Sequence, residues 1–452
     1  MNYFELREQY PTFIYHGFDI EETDHDFKIT YDFETIGLER FNPTYTLPKS
    51  GTMQYRNSKV VKEMVFSLGM VEIASYWKCT CSPQLIVKCG RLTNAQVAWW
   101  KKLYFHGLGE FFYMNDIEPK MEDFININCE GEEICGEELF QTNHGQIIPV
   151  GGGKDSFVTL EILKDAGDNN TFIINSVMSA IHASEAAGYK DKLLYVERTL
   201  DSRMLELNKR GFLNGHTPFS AMVAFSSVLT AVLNQKKYIC LSNESSANES
   251  TVANASINHQ YSKSFEFEKD FHEYCEEYLT CDIQYFSLLR PLSELQIAKI
   301  FSTLKEYHSV FKSCNVGSKK EVWCNNCAKC LFVYILMSAF LEDEECVATF
   351  GENLLDKQEL LSIFEELCGL SENKPFECVG TREEVQIALS LGVVKRETES
   401  KDLSWLYRYY DSLGLVKRDI DLREIKYEWN NEHYVPSEFI LYIKAKLEES
   451  FL

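Results

Sequence analysis

Ile147-Ile148-Pro149-Val150-Gly151-Gly152-Gly153-Lys154-Asp155-Ser156 is the stretch on which the reading of this chain turns. Its first four residues form a short apolar run of the length of a buried strand. Three glycines follow, and a helical pattern then runs from Asp155 to Asp165. Strand, glycine turn and helix in succession make an anion cradle. Residues without a Cβ let backbone amides approach a ligand closely. A helix beginning at Asp155 or Ser156 turns its free N–H groups and its positive dipole end toward the same point. Lys154 adds a charge and Ser156 a hydroxyl donor. Gly151, Gly152, Gly153, Lys154, Asp155 and Ser156 are therefore the candidate polyphosphate site. A plain glycine turn joining strand to helix is the other reading, and its place in an alternating strand–helix pattern argues against it.

Two familiar phosphate motifs do not fit. A Walker loop needs a glycine separated by four residues from its Gly-Lys pair and Ser or Thr directly after the lysine. Here Ile148 stands at the first position and Asp155 at the second. A dinucleotide fingerprint spaces its glycines, whereas these are consecutive.

Downstream the alternation continues. Thr171–Ile174 is an apolar run, Ser179–Ala187 a small-residue helix and Leu193–Val196 another apolar run. Pro218–Asn234 is a long apolar helix and Tyr238–Leu241 a further buried strand. Strands alternating with helices predict an α/β fold, a parallel sheet with helices on both faces. Upstream, residues 1–140 read as a mixed α+β domain. Phe27–Phe33 alternates as a half-buried strand, Met64–Tyr76 and Ala95–Tyr104 read as helices, and Leu85–Val87 as a short strand. The acidic run Glu130–Glu138 reads as a solvated connector. The expected division is 1–140, 141–313 for the sheet domain, and 314–452 for a mostly helical C-terminal domain.

Composition narrows the partners. The chain has 452 residues, 45% of them apolar, and a net charge of −23. That charge repels phosphate backbones, so nucleic acid is not the expected partner and a small molecule is. Fifteen cysteines, an odd number scattered over a long chain, argue against a disulfide framework. The first ten residues carry Glu5, Arg7 and Glu8 and no apolar run, so a signal peptide is not expected, and no run of 18 apolar residues suggests a membrane span. A reducing cytoplasm is the expected compartment.

Cys314, Cys324, Cys327 and Cys330 form Cys-x9-Cys-x2-Cys-x2-Cys. Two linked Cys-x2-Cys steps can wrap one tetrahedral ion, and four ligands leave no open position, so a structural zinc site is the expectation. Unligated thiols and an iron–sulfur cluster use the same residues. Ser242-Asn243-Glu244-Ser245-Ser246-Ala247-Asn248 follows the strand at Leu241. The carboxyl ends of parallel strands face the ligand crevice, so Ser242, Asn243, Glu244 and Asn248 are candidates for nucleotide or magnesium contact; an ordinary polar loop is the alternative. His216 and His259 are candidate proton carriers, although a lone histidine is more often structural. Lys263 lies in the donor-rich run Asn258–Ser264.

The glycine loop resembles the Ser-Gly-Gly-x-Asp-Ser loop of the PP-loop ATP pyrophosphatases, with Gly151 in place of the first serine. That resemblance implies ATP, cleaved between its α and β phosphates with adenylation of a substrate oxygen. Similar cysteine clusters follow the PP-loop domain in deazaguanine-forming synthases. Further stretches are similar to one family more specifically, the UDP-N-acetylmuramoyl-L-alanyl-L-glutamate epimerases. They include Val65–Met70, Ser75–Pro83, Trp99–Leu103, Gly107–Phe112, Asn214-Gly215-His216, Ser242–Glu244, Asn258–Ser264, the run to Val333, and Lys374–Thr381. The resemblance implies an isomerase that activates a glutamyl carboxylate with ATP and magnesium on a UDP-linked muramoyl dipeptide. It implies Asp155 and Glu244 near metal and phosphates, and His216, His259 and Lys263 for proton transfer or carboxylate contact. Residues 1–140 are left, by elimination, for recognising the nucleotide-sugar part of the substrate.

Overall fold

The computed structural model describes residues 2–134, 144–175, 178–248, 261–279, 282–314, 316–317, 320–372, 374–375 and 377–452. Its strands are β1 Thr12–Glu22, β2 Asp26–Thr35, β3 Glu39–Phe41, β4 Thr44–Pro48, β5 Gln84–Val87 and β6 Asn126–Cys129. They continue as β7 Gln146–Pro149, β8 Asn169–Ile174, β9 Leu193–Thr199, β10 Tyr238–Leu241 and β11 Gln284–Ser287. Contacts group the chain into two compact units, each drawn from discontinuous stretches. The first comprises Met1–Ile147, Leu194–Ile239 and Gln260–Tyr285; the second Ile148–Leu193, Cys240–His259 and Phe286–Leu452. The segment 141–313 thus contributes to both, with boundaries inside β7, β9, β10 and β11.

In the first unit, β2 alternates because Phe27, Ile29, Tyr31 and Phe33 face the core and their neighbours do not. It pairs antiparallel with β1, β3 and β4, and β4 pairs antiparallel with β9. On the far side of β1, β5 and β6 add parallel. The sheet of the first unit is therefore mixed, with more antiparallel pairing than the alternation further along suggests. The helix Lys59–Trp77 is buried almost all round and lies against the equally apolar helix Phe219–Leu233. Gly69 permits this packing on the sheet, since a Cβ there would sit 2.1 Å from the Tyr15 hydroxyl. The starts of β7 and β10 pair parallel, Gln146 opposite Tyr238.

The second unit begins at the carboxyl ends of β7, β10 and β11. Val150 N–H donates to Phe172 O at 3.0 Å beside β8, and Leu288 N–H donates to Leu241 O at 2.8 Å. The helix Lys154–Ile162 packs on Glu294–Thr303. Among the described residues no strand follows Ser287. The remainder is helical around the wholly buried helix Ala328–Ser338, which Leu361–Cys368 and Arg382–Thr398 cover. Among the described residues, no helix is long and apolar enough to cross a membrane.

Candidate functional site

The glycine loop sits where β7 ends and its helix begins. Gly153 is the N-cap of Lys154–Ile162, with extended backbone and no side-chain cap, so the first helical N–H groups are not spent on a capping side chain. Gly152 must be glycine on two counts. Its φ is +84°, and a Cβ would stand 2.7 Å from the Ser179 backbone. A Cβ on Gly153 would meet Ser313 Oγ at 2.8 Å, whereas one on Gly151 meets nothing within 4 Å. Ser156 Oγ turns back to accept from Gly151 N–H at 3.0 Å, which folds the loop onto the helix start. Ser179, beside Gly152, and Ser242, at the end of β10, have buried hydroxyls with no hydrogen-bond partner among the described residues. Such atoms cost about 1–3 kcal/mol each and suit a polar ligand.

Lys154 behaves otherwise than a charge offered at the loop surface. It is fully buried, and its ammonium donates to Asp155 Oδ1 and Glu294 Oε2. Burial opposes its charge, but the two carboxylates outweigh that and hold it above an ordinary lysine. Burial pushes Glu294 up to about 8; Lys154 works against this, and Asp155 and Glu244 add to it. Glu384 fixes Glu294 in turn, accepting its backbone N–H at 2.7 Å. Burial raises Glu384 as well, against the pull of the amides it accepts from.

The tract after β10 supplies further polar groups. Glu244 accepts from Ser246 Oγ at 3.1 Å, and Asn243 donates to Ser287 Oγ at 3.1 Å. Arg290, with no exposed surface, donates to Glu244 O at 2.6 Å and holds the tract's backbone. Asn248 closes the short 3₁₀ turn Ser245–Asn248. In the second unit Gly151–Ser156, Glu244, Asn243 and Ser242 thus stand at the ends of neighbouring strands. Glu294, Glu384 and Arg290 belong with them and were not singled out from sequence.

The four cysteines do converge. Sulfur separations are 3.9 Å for Cys314–Cys327, 3.7 Å for Cys324–Cys330 and 3.5 Å for Cys327–Cys330, with all four within 4.8 Å of one another. Gly317 N–H donates to Cys314 Sγ at 3.1 Å. Asn325 takes φ +57° to turn the knuckle and donates to Phe350 O at 2.8 Å. Trp323 packs against Phe350 with ring centres 4.5 Å apart and planes tilted by 40°, seating the cluster on the helical core. Among the described residues no cysteine forms a disulfide.

His216 and Lys263 belong to the first unit. His216 Nδ1 lies 3.1 Å from Glu110 Oε2. Its loop is held by Lys78, which donates to Gly215 O at 2.5 Å and Thr217 Oγ1 at 2.9 Å. Burial, with Arg198 nearby, lowers Lys78 to about 8. Lys263 closes a 3₁₀ turn ahead of the helix Phe265–Tyr278. His259 lies outside the described residues.

Fold and site together define an α/β protein with a strand–glycine loop–helix turn and a four-cysteine cluster. The MurL N-terminal domain family matches residues 4–288, and the MurL C-terminal domain family matches residues 306–412. The chain belongs to the MurL family. It is similar to the UDP-N-acetyl-alpha-D-muramoyl-L-alanyl-L-glutamate epimerase of Xanthomonas oryzae pv. oryzae, 30% identical over 393 residues, covering 84% of this chain and 85% of that protein. Proteins of the same name from a Micromonospora species and from Salinispora tropica are 35% and 34% identical. Each match covers 78% of this chain, and 80% and 79% of those proteins. No solved structure matches the chain.

Proposed function

We infer that this chain is an isomerase that inverts the terminal L-glutamate of UDP-N-acetylmuramoyl-L-alanyl-L-glutamate to D-glutamate, using ATP to activate the carboxylate. The observation that carries the reading is similarity over 78–84% of the chain to relatives named for that epimerisation. The glycine loop supplies the reason for ATP.

A proton beside a free carboxylate is very weakly acidic, because its removal builds charge next to existing charge. In the proposed reaction a carboxylate oxygen attacks the α-phosphorus of ATP, and the bond to pyrophosphate breaks. The acyl adenylate has lost the carboxylate charge, so its carbonyl can take up the electron pair of the α C–H bond. A base removes that proton and a proton returns to the opposite face. Water then cleaves the mixed anhydride, releasing AMP and the inverted carboxylate. The N–H groups of Gly152, Gly153 and the following helix start would hold the phosphates. His216, His259 and Lys263 are the candidates for proton transfer or carboxylate contact.

Magnesium would be held here as a shared ion rather than a caged one. No three described carboxylates converge to ligand distance, so Asp155 and Glu244 would each offer oxygens while phosphates and water complete the shell. Such an ion, when bound, offsets phosphate charge. Zinc fits the cysteines: a tetrahedron with bonds of ~2.3 Å has edges of ~3.8 Å, the spacing Cys314, Cys324, Cys327 and Cys330 provide. Thiolates that each bound a separate iron would stand further apart. With no position left open, the ion would be structural.

The test supplies ATP and the L-glutamate nucleotide and separates the glutamate enantiomers after hydrolysis. D-glutamate formed together with AMP and pyrophosphate is expected. Pyrophosphate release without D-glutamate would sink the epimerase reading; D-glutamate formed without ATP would sink the activation step.

A further inference from the structure

We propose that the four-cysteine cluster sets the affinity of the glycine loop for ATP, with Lys312 and Ser313 as the positioning residues that connect the two. The inference rests on the reading of that loop as an ATP site and of the cysteines as a zinc site. Glycine backbone is permissive, so three glycines in a row keep a ligand-ready shape only where something outside them fixes it. Each of the three has such a partner. Gly151 N–H donates to Ser156 Oγ at 3.0 Å. Gly152 O accepts from Lys312 N–H at 2.9 Å. Gly153 lies against Ser313, whose hydroxyl oxygen would stand 2.8 Å from a Cβ there. Two of these contacts come from consecutive residues of one segment, and the next residue along it is Cys314.

The segment is anchored at both ends, by different means. At one end Phe311 is fully buried, its N–H donates to Tyr307 O at 3.0 Å, and its ring centre lies 5.1 Å from that of Trp323. The Lys312 side chain turns to the knuckle as its backbone turns to the loop. Its ammonium donates to Ser309 O and Phe311 O, both at 3.1 Å, and stands 5.9 Å from the centre of the Trp323 ring. At the other end Cys314 is equally buried, and the cluster is what holds it. Four thiolates within 4.8 Å of one another repel unless a cation stands among them. Closing the cysteines on an ion therefore fixes the second anchor, and opening them slackens both glycine contacts.

A second arm of the knuckle reaches the loop from behind. Gly317 N–H donates to Cys314 Sγ at 3.1 Å, and Val322 N–H donates back to Gly317 O at 3.2 Å. The turn so formed carries Glu321, at φ +53°, to within 2.6 Å of His182 Nδ1. His182 stands on the helix Met178–Ala186. On that helix the Ser179 backbone is the surface against which Gly152 packs, 2.7 Å from where a Cβ would be. The Ser179 hydroxyl, on a residue only 1% exposed, has no partner among the described residues and belongs to the same wall. The knuckle thus bears on the loop twice, directly through Lys312 and Ser313 and, by way of Glu321 and His182, through the helix that backs it.

The experiment uses the full chain with Mg²⁺ in excess, so that the nucleotide does not itself take the zinc. ATP affinity is read by calorimetry, and zinc affinity by competition against a chelator of known strength, with and without ATP. Coupling between two binding sites is reciprocal, so a cluster that tightens ATP must itself be tightened by ATP to the same degree. In the unaltered chain, saturating ATP is expected to raise zinc affinity on the order of tenfold. The variant that separates coupling from folding is Ser313→Ala combined with Glu321→Gln, neither of them a cysteine ligand. Its zinc content and unfolding midpoint are expected to hold, while ATP binds on the order of tenfold more weakly and no longer raises zinc affinity. Full ATP affinity in the variant overturns the proposal. So does a joint loss of zinc, midpoint and ATP, which would make the contacts part of the fold and nothing more. Should the double variant not fold, Ser313→Ala alone carries the test with the same outcomes. An unaltered chain that binds no ATP would instead sink the reading of the loop, and this inference with it; one that binds ATP and zinc with no effect of either on the other sinks this inference alone.

Discussion

Arg198 grips Glu72 with two parallel hydrogen bonds, Nε to Oε2 at 2.9 Å and Nη2 to Oε1 at 2.7 Å, inside the first unit. Tyr45 Oη donates to the same carboxylate at 2.7 Å, and Arg198 also reaches Ser75 Oγ at 2.8 Å. Glu72 has no exposed side-chain surface and Arg198 only 9%. Breaking one side of such a pair leaves an uncompensated buried charge. Arg198→Met is expected to cost about 3–5 kcal/mol, and Arg198→Met with Glu72→Gln distinctly less. Urea unfolding checks this, the midpoint moving while the slope stays constant.

Gly151 and Gly152 are neighbours with opposite tolerance. Gly151→Ser introduces the hydroxyl found at this place in the resembling loops, and open space awaits its Cβ. It is expected to fold within about 0.5 kcal/mol of the unaltered chain and to keep nucleotide binding. Gly152→Ala sets a Cβ against the Ser179 backbone at a φ of +84° and should cost about 1–3 kcal/mol with loss of ATP binding. Thermal unfolding and calorimetry on the pair of variants separate the two.

How much of this was legible in the sequence depends on whether the signal was local. The loop was, because strand, glycines and helix are contiguous and each obeys its own rule. The helices Lys59–Trp77 and Phe219–Leu233 were, through length and apolar content. β2 was, since four buried aromatic and aliphatic residues alternate. β4, only five residues long, and β11, only four, give too few periods to distinguish from a turn. The antiparallel pairing of β4 with β9 links residues some 150 positions apart, which no local pattern encodes. Glu294 was hidden for another reason. An acidic residue directly after a serine cap reads as a solvated first-turn carboxylate favoured by the helix dipole. Its burial follows from Lys154, 140 residues earlier in the chain, and from Glu384, 90 later.

The cysteine cluster predicts a metal-dependent C-terminal unit. Protein purified without chelator is expected to carry one zinc per chain by elemental analysis. Cys327→Ser removes the ligand at the start of the helix Ala328–Ser338, which forms the core of the helical region. Loss of zinc and a fall of several kcal/mol in stability should occur together, since metal binding and folding of such a knuckle are one equilibrium. Iron in place of zinc, or zinc retained in Cys327→Ser, would contradict the assignment.

Glu63 gives a pH signature separate from the site. Burial pushes its carboxyl up to about 8, and Glu133 adds repulsion in the same direction. A carboxyl raised in the folded state binds its proton more tightly there than in the unfolded chain, where it titrates near 4.5. Its contribution is therefore complete below about pH 4.5 and is lost as pH rises toward 8. Glu63→Gln removes that loss. The variant is expected to be more stable than the unaltered chain above pH 8, by about 1–2 kcal/mol once solvent screening of a half-buried group is allowed for. The advantage should shrink steadily toward acid pH. Unfolding free energies at pH 5, 7 and 9 decide it: a constant offset would assign the difference to lost contacts, whereas an offset that grows with pH assigns it to the buried charge.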